Sequence, residues 1–297
     1  MPTAESYLRP DIIRQIQRLD LQARFLAEGF ISGLHASPYH GFSVEFSEHR
    51  KYETGDDLNA IDWAVFARTE RLYIKKFRAE TNTACHLVMD TSPSMGYGST
   101  GTSKLTYAIY LAATLAHLMI QQQDPVGLVT FNDQIRQVIS AHSKRSHLTS
   151  LIAALSTTLP SGTTDLPQAL QQVASLVRKR GFIIIMSDLL GEPEPIIQAL
   201  SRLTFRRHDI ILFHLLDPAE LTLPFESPAL FQDPETGDTV TADPLALRDR
   251  YLKEINGWLA TLRAGCLKLG IDYQQISTAM PFDQALMAFL VARKARF

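Results

Sequence analysis

From residue 85 onward, hydrophobic and polar positions follow two alternating patterns. Short, continuous apolar runs predict buried strands at 85–89, 126–131, 182–186 and 210–216. Longer stretches between them have apolar residues at helical spacing and predict helices at 104–122, 147–158, 167–180 and 195–206. Strands that alternate with helices in this way build a largely parallel sheet covered on both faces. The pattern therefore predicts an α/β fold with a doubly wound, mostly parallel sheet.

The two ends of the chain depart from this alternation. Residues 10–28 have the apolar spacing of a helix, and residues 40–80 contain short aromatic and β-branched segments around a turn at 54–57. After Asp217, prolines precede a hairpin with its turn at 233–238, a helix at 245–269, a strand at 271–276 and a helix at 282–293.

We therefore predict three regions. Residues 1–82 form an N-terminal helix and a small β-rich accessory segment, and residues 83–217 form the α/β core. Residues 218–297 add the β-hairpin and a C-terminal helical extension that completes the fold. Because segments 40–80 and 224–242 both interrupt the α/β alternation, we also predict that they share one β unit.

Composition narrows the classes of function. Hydrophobic residues make up 45% of the chain and charged residues 20%, with a net charge of -2, which predicts a globular protein without general affinity for nucleic acid. No apolar stretch reaches the ~20 residues that cross a bilayer, and the N-terminus lacks the apolar centre of a signal peptide. The two cysteines, Cys85 and Cys266, lie in apolar contexts and are expected to be buried and reduced. We expect a cytoplasmic protein without membrane insertion.

Oxygen-bearing side chains follow two of the predicted strands. Asp90, Ser92 and Ser94 come directly after the first strand, and Asp188 follows the strand at 182–186. Thr164 lies in a loop before a predicted helix. Loops at the carboxyl ends of parallel strands meet at one edge of the sheet, and an extended segment would place both serine hydroxyls on the same side. Carboxylates and hydroxyls are suitable ligands for Mg²⁺, so these loops predict one metal site.

These loops resemble the metal-ion-dependent adhesion site (MIDAS) of von Willebrand factor A domains, which has an Asp-Xaa-Ser-Xaa-Ser segment, a loop threonine and a later aspartate. Asp90, Ser92, Ser94, Thr164 and Asp188 match these positions. The resemblance implies that Mg²⁺, or alternatively Mn²⁺, is bound with one coordination position left for an acidic side chain of a partner protein. Whether Thr163 or Thr164 faces the metal stays open, although the Thr164-Asp165-Leu166 segment favours Thr164. Asp165 would then cap the following helix.

A second resemblance covers most of the chain. Its segments include Glu45-Phe46, His49-Arg50-Lys51-Tyr52, Gly55-Asp56-Asp57, Ile61-Asp62-Trp63, Ala67-Arg68-Thr69, Asp233-Pro234 and Thr278. They resemble a bacterial domain-of-unknown-function family with a von Willebrand factor A-like core, whose genes commonly lie beside those of MoxR-type AAA+ ATPases. The resemblance implies an adaptor or chaperone-like partner of such an ATPase, with no catalytic residues of its own.

Two other hypotheses fit parts of the same pattern. A Mg²⁺-dependent phosphoryl-transfer hydrolase of the haloacid dehalogenase type also begins with an aspartate at a strand end. That chemistry normally needs a second aspartate two residues later as acid and base, where this chain has Ser92. A structural domain with a vestigial site is the third hypothesis. Of the three, we expect the Mg²⁺-dependent protein-interaction module, which is not an enzyme.

Overall fold

The computed structural model describes residues 43–52, 61–80, 84–281 and 284–286. These residues form two compact units, of which one comprises 43–52 and 61–80 and the other comprises the remainder. In the smaller unit, strands β1 (Ser43–Lys51) and β2 (Tyr73–Glu80) pair antiparallel, and helix α1 (Trp63–Thr69) lies between them in sequence. The Asp62 carboxylate accepts a hydrogen bond from the Val65 amide at 3.2 Å at the start of that helix.

The larger unit contains a six-stranded sheet. Its strands are β3 (Cys85–Asp90), β4 (Val126–Phe131), β5 (Ile135–His142), β6 (Phe182–Ser187), β7 (Asp209–Leu216) and β10 (Asp272–Ser277). They are ordered β10-β7-β6-β3-β4-β5, and all neighbouring pairs are parallel except β4 with the edge strand β5. The continuous apolar runs of β4 and β6 are buried along their whole length, as expected for strands covered on both faces.

Helices cover the sheet on both faces. They are α2 (Lys104–Gln121), α3 (Arg145–Thr157), α4 (Leu166–Leu176), α5 (Pro193–Phe205), α6 (Pro218–Thr222) and α7 (Pro244–Lys268). Leu111 and Leu115 of α2 belong to one hydrophobic core, and Leu170 of α4, Leu200 of α5 and Leu262 of α7 belong to the other. Two cores separated by a mostly parallel sheet confirm the predicted doubly wound α/β fold.

Most predicted elements of the larger unit are present, with small shifts at their ends. The helix predicted at 167–180 begins at Leu166, because the Asp165 side chain caps it by accepting the Gln168 amide at 2.9 Å, and it ends at Leu176. Cys85 and Cys266 are free and buried, as expected. The predicted helix at 10–28 and the turn at 54–57 lie outside the described residues, as does most of the helix predicted at 282–293, where only 284–286 are described.

One predicted association is wrong. The hairpin strands β8 (Ala229–Gln232) and β9 (Thr239–Ala242) form a two-stranded sheet of their own, distinct from the β1–β2 sheet. The hairpin belongs to the larger unit, so the two interruptions of the α/β pattern do not make one β unit. The proposed division at residues 82 and 217 stays a prediction. Across the described ranges, none of the helices is both long and apolar enough to cross a membrane.

Candidate metal centre

Four of the five predicted ligands lie buried at the carboxyl ends of β3 and β6. Asp90, Ser92, Ser94 and Asp188 are each at most 3% exposed. These two strands pair directly in the sheet, which is why their C-terminal loops meet. The Ser161 amide donates to the Thr91 carbonyl at 2.9 Å and so ties the loop before α4 to the loop after β3.

Asp90 is held from two sides. Its Oδ1 accepts the Ser92 amide at 2.9 Å, and its Oδ2 accepts the Ser187 hydroxyl at 2.6 Å. Burial is the largest cause that raises the pKa of Asp90, the negative charge of Asp188 adds to it, and the hydrogen bonds from Ser187 and Ser92 oppose the shift, which leaves the pKa at about 7. Because the two buried carboxylates repel each other, a cation close to both of them would be favourable.

The two serines of the first loop face each other. Ser92 Oγ and Ser94 Oγ are 3.0 Å apart, and both side chains are buried. The segment is not extended as predicted, because Pro93–Gly96 forms a 3-10 turn that begins directly after Ser92. The two hydroxyls nevertheless lie on the same side, as predicted, although the backbone conformation that places them there is a 3-10 turn.

Thr164 contacts a residue that the sequence pattern did not suggest. Its amide donates to Glu235 Oε2 at 3.1 Å, and its hydroxyl donates to Glu235 Oε1. Thr164 is half-buried, whereas Thr163 is exposed. Asn132 Nδ2 donates to the Ser161 carbonyl at 2.8 Å, and Gly162, at φ 82°, packs against the Asn132 side chain. The loop that carries Thr164 is thus anchored to the turn after β4.

Asp188 forms a buried ion pair with a lysine. Lys104 Nζ lies 2.8 Å from Asp188 Oδ2 and 2.5 Å from Glu220 Oε1, and Lys104 is 1% exposed. Burial alone would lower the pKa of Lys104, but the Asp188 and Glu220 carboxylates outweigh it and raise the pKa. Lys104 was not among the predicted site residues. Its signal is a lone cation at the first position of a helix that is otherwise mostly apolar.

His214 of β7 holds the loop after β6 in place through a hydrogen bond to its backbone. Its Nε2 donates to the Asp188 carbonyl at 2.8 Å, and the Tyr273 hydroxyl donates to its Nδ1 at 2.6 Å. Complete burial lowers the pKa of His214 to about 4, so the imidazole is neutral. This histidine is a core residue with both ring nitrogens hydrogen-bonded, and it positions the backbone of Asp188.

A cleft of about 800 Å³ opens beside these residues. Its lining includes apolar side chains from α5 and α7, among them Ile196, Ile255 and Trp258, and the Trp258 indole donates to the Gly191 carbonyl at 2.8 Å. The polar lining includes Lys104, Thr164, Asp188, Glu220 and Glu235. The cleft therefore brings apolar side chains beside two of the predicted metal ligands, Thr164 and Asp188.

The donor set fits a hard cation that takes oxygen ligands. Two carboxylates and three hydroxyls from Asp90, Ser92, Ser94, Thr164 and Asp188 are the ligand types that Mg²⁺ accepts. Over the described part of the chain, no three His, Cys, Asp or Glu side chains group as metal ligands, so a site here depends on hydroxyl groups. A cation held mostly by neutral oxygens keeps much of its charge for a further ligand.

The chain is similar to several known proteins. The family described as "Protein of unknown function DUF58" matches residues 48–257. The uncharacterized protein Rv1480 of Mycobacterium tuberculosis is 29% identical over 290 residues, which cover 96% of this chain and 90% of that protein. The crystal structure of the conserved hypothetical protein BatB from Bacteroides thetaiotaomicron is 15% identical with a TM-score of 0.45, covering 72% of this chain and 100% of that one. The SpRpn10 VWA domain is 14% identical with a TM-score of 0.38, covering 69% of this chain and 93% of that one.

Proposed function

We propose that this chain, which belongs to the DUF58 family of proteins of unknown function, is a Mg²⁺-dependent protein-interaction module with a von Willebrand factor A-like core. In this proposal Asp90, Ser92, Ser94, Thr164 and Asp188 hold the cation. The bound cation supplies an electrophilic position that accepts a carboxylate from a partner protein. Mn²⁺, which prefers similar ligands, is the alternative metal.

The observation that carries the proposal is the buried pair of carboxylates beside two facing hydroxyls. Burial and then the charge of Asp188 raise the pKa of Asp90 to about 7. Lys104 is the one ammonium group on the cleft among the described residues. Lys104 is already shared between Asp188 and Glu220. A dication bound between the loops would offset the remaining negative charge.

The proposed partner is a separate AAA+ ATPase of the MoxR type, for which this protein acts as an adaptor. Support comes from the family resemblance and from the absence of a phosphate-binding loop of the Walker type in this sequence. Catalysis is not part of the proposal. Ser92 occupies the position where a haloacid dehalogenase-type hydrolase needs a second carboxylate, and its hydroxyl is buried against Ser94.

Calorimetric titration of Mg²⁺ or Mn²⁺ tests the metal site. We expect saturable binding to the wild type, loss of binding in Asp90→Ala, and unchanged binding in Asp249→Ala, which removes an exposed carboxylate from α7. Ser92→Ala combined with Ser94→Ala should also abolish binding, with Ser175→Ala on α4 as the matched serine control. Identical titration curves for wild type and Asp90→Ala would remove the metal from the proposal.

Capture of the ATPase tests the partner. The tagged wild type should retain a MoxR-type ATPase from the native host in Mg²⁺ and release it in a chelator, and Asp90→Ala should retain little in either buffer. The Asp249→Ala variant should behave as the wild type. Retention by the Ser92→Ala/Ser94→Ala variant at the wild-type level would show that the interface does not use these hydroxyls.

A further inference from the structure

The turn of the β8–β9 hairpin directs one side chain toward the candidate metal centre. Of residues 233–238, Glu235 is half-buried and the other five are exposed. Both oxygens of its carboxylate accept hydrogen bonds from Thr164, one from the amide at 3.1 Å and one from the hydroxyl. A carboxylate of this chain is thereby bound to the predicted ligand threonine.

Hydrogen bonds within the turn hold the backbone on both sides of Glu235. The Asp233 carboxylate accepts the Glu235 amide at 2.8 Å, and the Asp233 carbonyl accepts the Gly237 amide at 2.9 Å. The Thr236 hydroxyl donates to the Asp238 carboxylate at 3.0 Å, and Gly237 takes a φ of 77°, which suits glycine. Because these hydrogen bonds order the backbone on both sides of Glu235, placing its carboxylate on Thr164 costs mainly the rotamer entropy of the side chain.

Negatively charged side chains predominate in the cleft beside Glu235. The cleft is lined by seven carboxylates, namely Asp165, Asp188, Glu192, Glu220, Asp233, Glu235 and Glu254. Lys104 is the one basic side chain among its described lining residues, and its ammonium group already pairs with Asp188 and Glu220. Directing a further carboxylate into this cleft is favourable when a cation lies nearby and costly when none does.

We propose that Glu235 is an internal acidic ligand of the candidate metal centre. This inference rests on the proposed function, and it assigns the position left for a partner's carboxylate to a side chain of the same chain. Thr164 orients the Glu235 carboxylate, and the cation attracts it. A partner that docks through an acidic side chain must then displace Glu235, and the hairpin turn must move away from Thr164.

Mn²⁺ alone is the probe for the test, because it reports both affinity and bound water. Calorimetry gives the affinity, and the relaxation rate of water protons gives the number of water molecules on bound Mn²⁺. In Glu235→Gln, a neutral amide replaces the carboxylate and water enters the freed position. We expect the affinity to fall about tenfold and the relaxation enhancement per bound Mn²⁺ to rise. Glu226→Gln, at an exposed position before β8, is the matched control and should equal the wild type.

The outcomes separate this inference from the proposed function. Equal affinity and equal relaxation in wild type and Glu235→Gln overturn the role of Glu235, and loss of Mn²⁺ binding in Asp90→Ala then still supports the metal site. If the wild type binds no Mn²⁺, both proposals are wrong. Urea unfolding establishes that Glu235→Gln is folded. If it is not, Glu235→Asp takes its place, because the shorter carboxylate should also admit more water, and unchanged relaxation in that variant would overturn the role of Glu235.

Discussion

At the scale of single residues, Lys104 supplies a buried positive charge to the candidate centre. It neutralises Asp188, one of the two buried carboxylates, and joins it to Glu220 at the start of α6. A buried ion pair contributes little net stability compared with apolar residues, but removal of one partner leaves an uncompensated charge in the interior. Lys104 therefore determines how much negative charge a metal ion would meet.

Replacement of this lysine tests its role. In Lys104→Met, Asp188 and Glu220 lose their cation, and we expect the free energy of unfolding to fall by about 3–5 kcal/mol without metal. Mg²⁺ should restore part of the loss, because it supplies positive charge to Asp188. Urea unfolding with and without Mg²⁺ measures both effects. The exposed Lys179→Met is the control and should change stability by less than about 0.5 kcal/mol. Equal stability of Lys104→Met and wild type would contradict this role.

Asp124, before β4, gives a prediction that depends on pH. Burial raises the pKa of Asp124 to about 6, so the folded protein holds this proton more tightly than the unfolded chain, where the pKa is near 3.9. The stability that protonation contributes is complete below about pH 4 and is lost as the pH rises to about 6.

Asp124→Asn should therefore be more stable than the wild type above pH 6, and this difference should shrink as the pH falls toward 4. Since Asp124 keeps part of its surface in solvent, we expect the difference at pH 7–8 to be about 1 kcal/mol. Urea unfolding between pH 4.5 and 8 measures it, with the exposed Asp249→Asn as control. A difference that does not vary with pH would show that the carboxylate is not the cause.

At the scale of elements, the sequence could predict what local patterns determine. Buried strands appear as apolar runs, and the Asp90 loop and Asp188 follow from their positions directly after two such strands. Contacts between distant elements have no such pattern. Glu235 lies in a polar turn like many others, and its contact with Thr164 depends on where the hairpin packs. Lys104 opens a helix, and its burial depends on α6, which the sequence analysis did not predict.

The packing of α7 on α5 allows a prediction within one helix. A Cβ at Gly265 would overlap the side chain of Ile197 on α5, whereas no described atom lies within 4 Å of a Cβ at Gly257 on the same helix. Gly265→Ala should therefore lower the free energy of unfolding by about 1–3 kcal/mol. Gly257→Ala should raise it by about 0.5–1 kcal/mol, because alanine favours the helix.

Thermal or urea unfolding compares the two variants directly. In an Ile197→Ala background, Gly265→Ala should lose most of its cost, because the side chain that it overlaps is gone. A cost for Gly265→Ala that persists in this background would place its origin outside the α5–α7 contact.

At the scale of the whole larger unit, the candidate centre is connected to several elements by direct contacts. Glu220 caps the start of α6 and receives Lys104, and its carbonyl accepts the Tyr251 hydroxyl of α7 at 2.6 Å. Asp217 accepts the Ser99 amide at 2.8 Å and so ties α6 to the loop before α2. A change in charge at Asp188 should therefore affect the contacts that join α2, α6 and α7.

Metal binding should accordingly stabilise the larger unit as a whole. A ligand that binds only the folded protein raises the free energy of unfolding by about 2.7 kcal/mol at a free concentration of one hundred times its Kd. We expect Mg²⁺ to produce this increase in the wild type and no increase in Asp90→Asn, where a neutral amide replaces a ligand. Urea unfolding over a series of Mg²⁺ concentrations, at fixed ionic strength, measures the dependence, and Asp249→Asn should follow the wild type. An equal increase in Asp90→Asn would place the bound cation elsewhere on the protein.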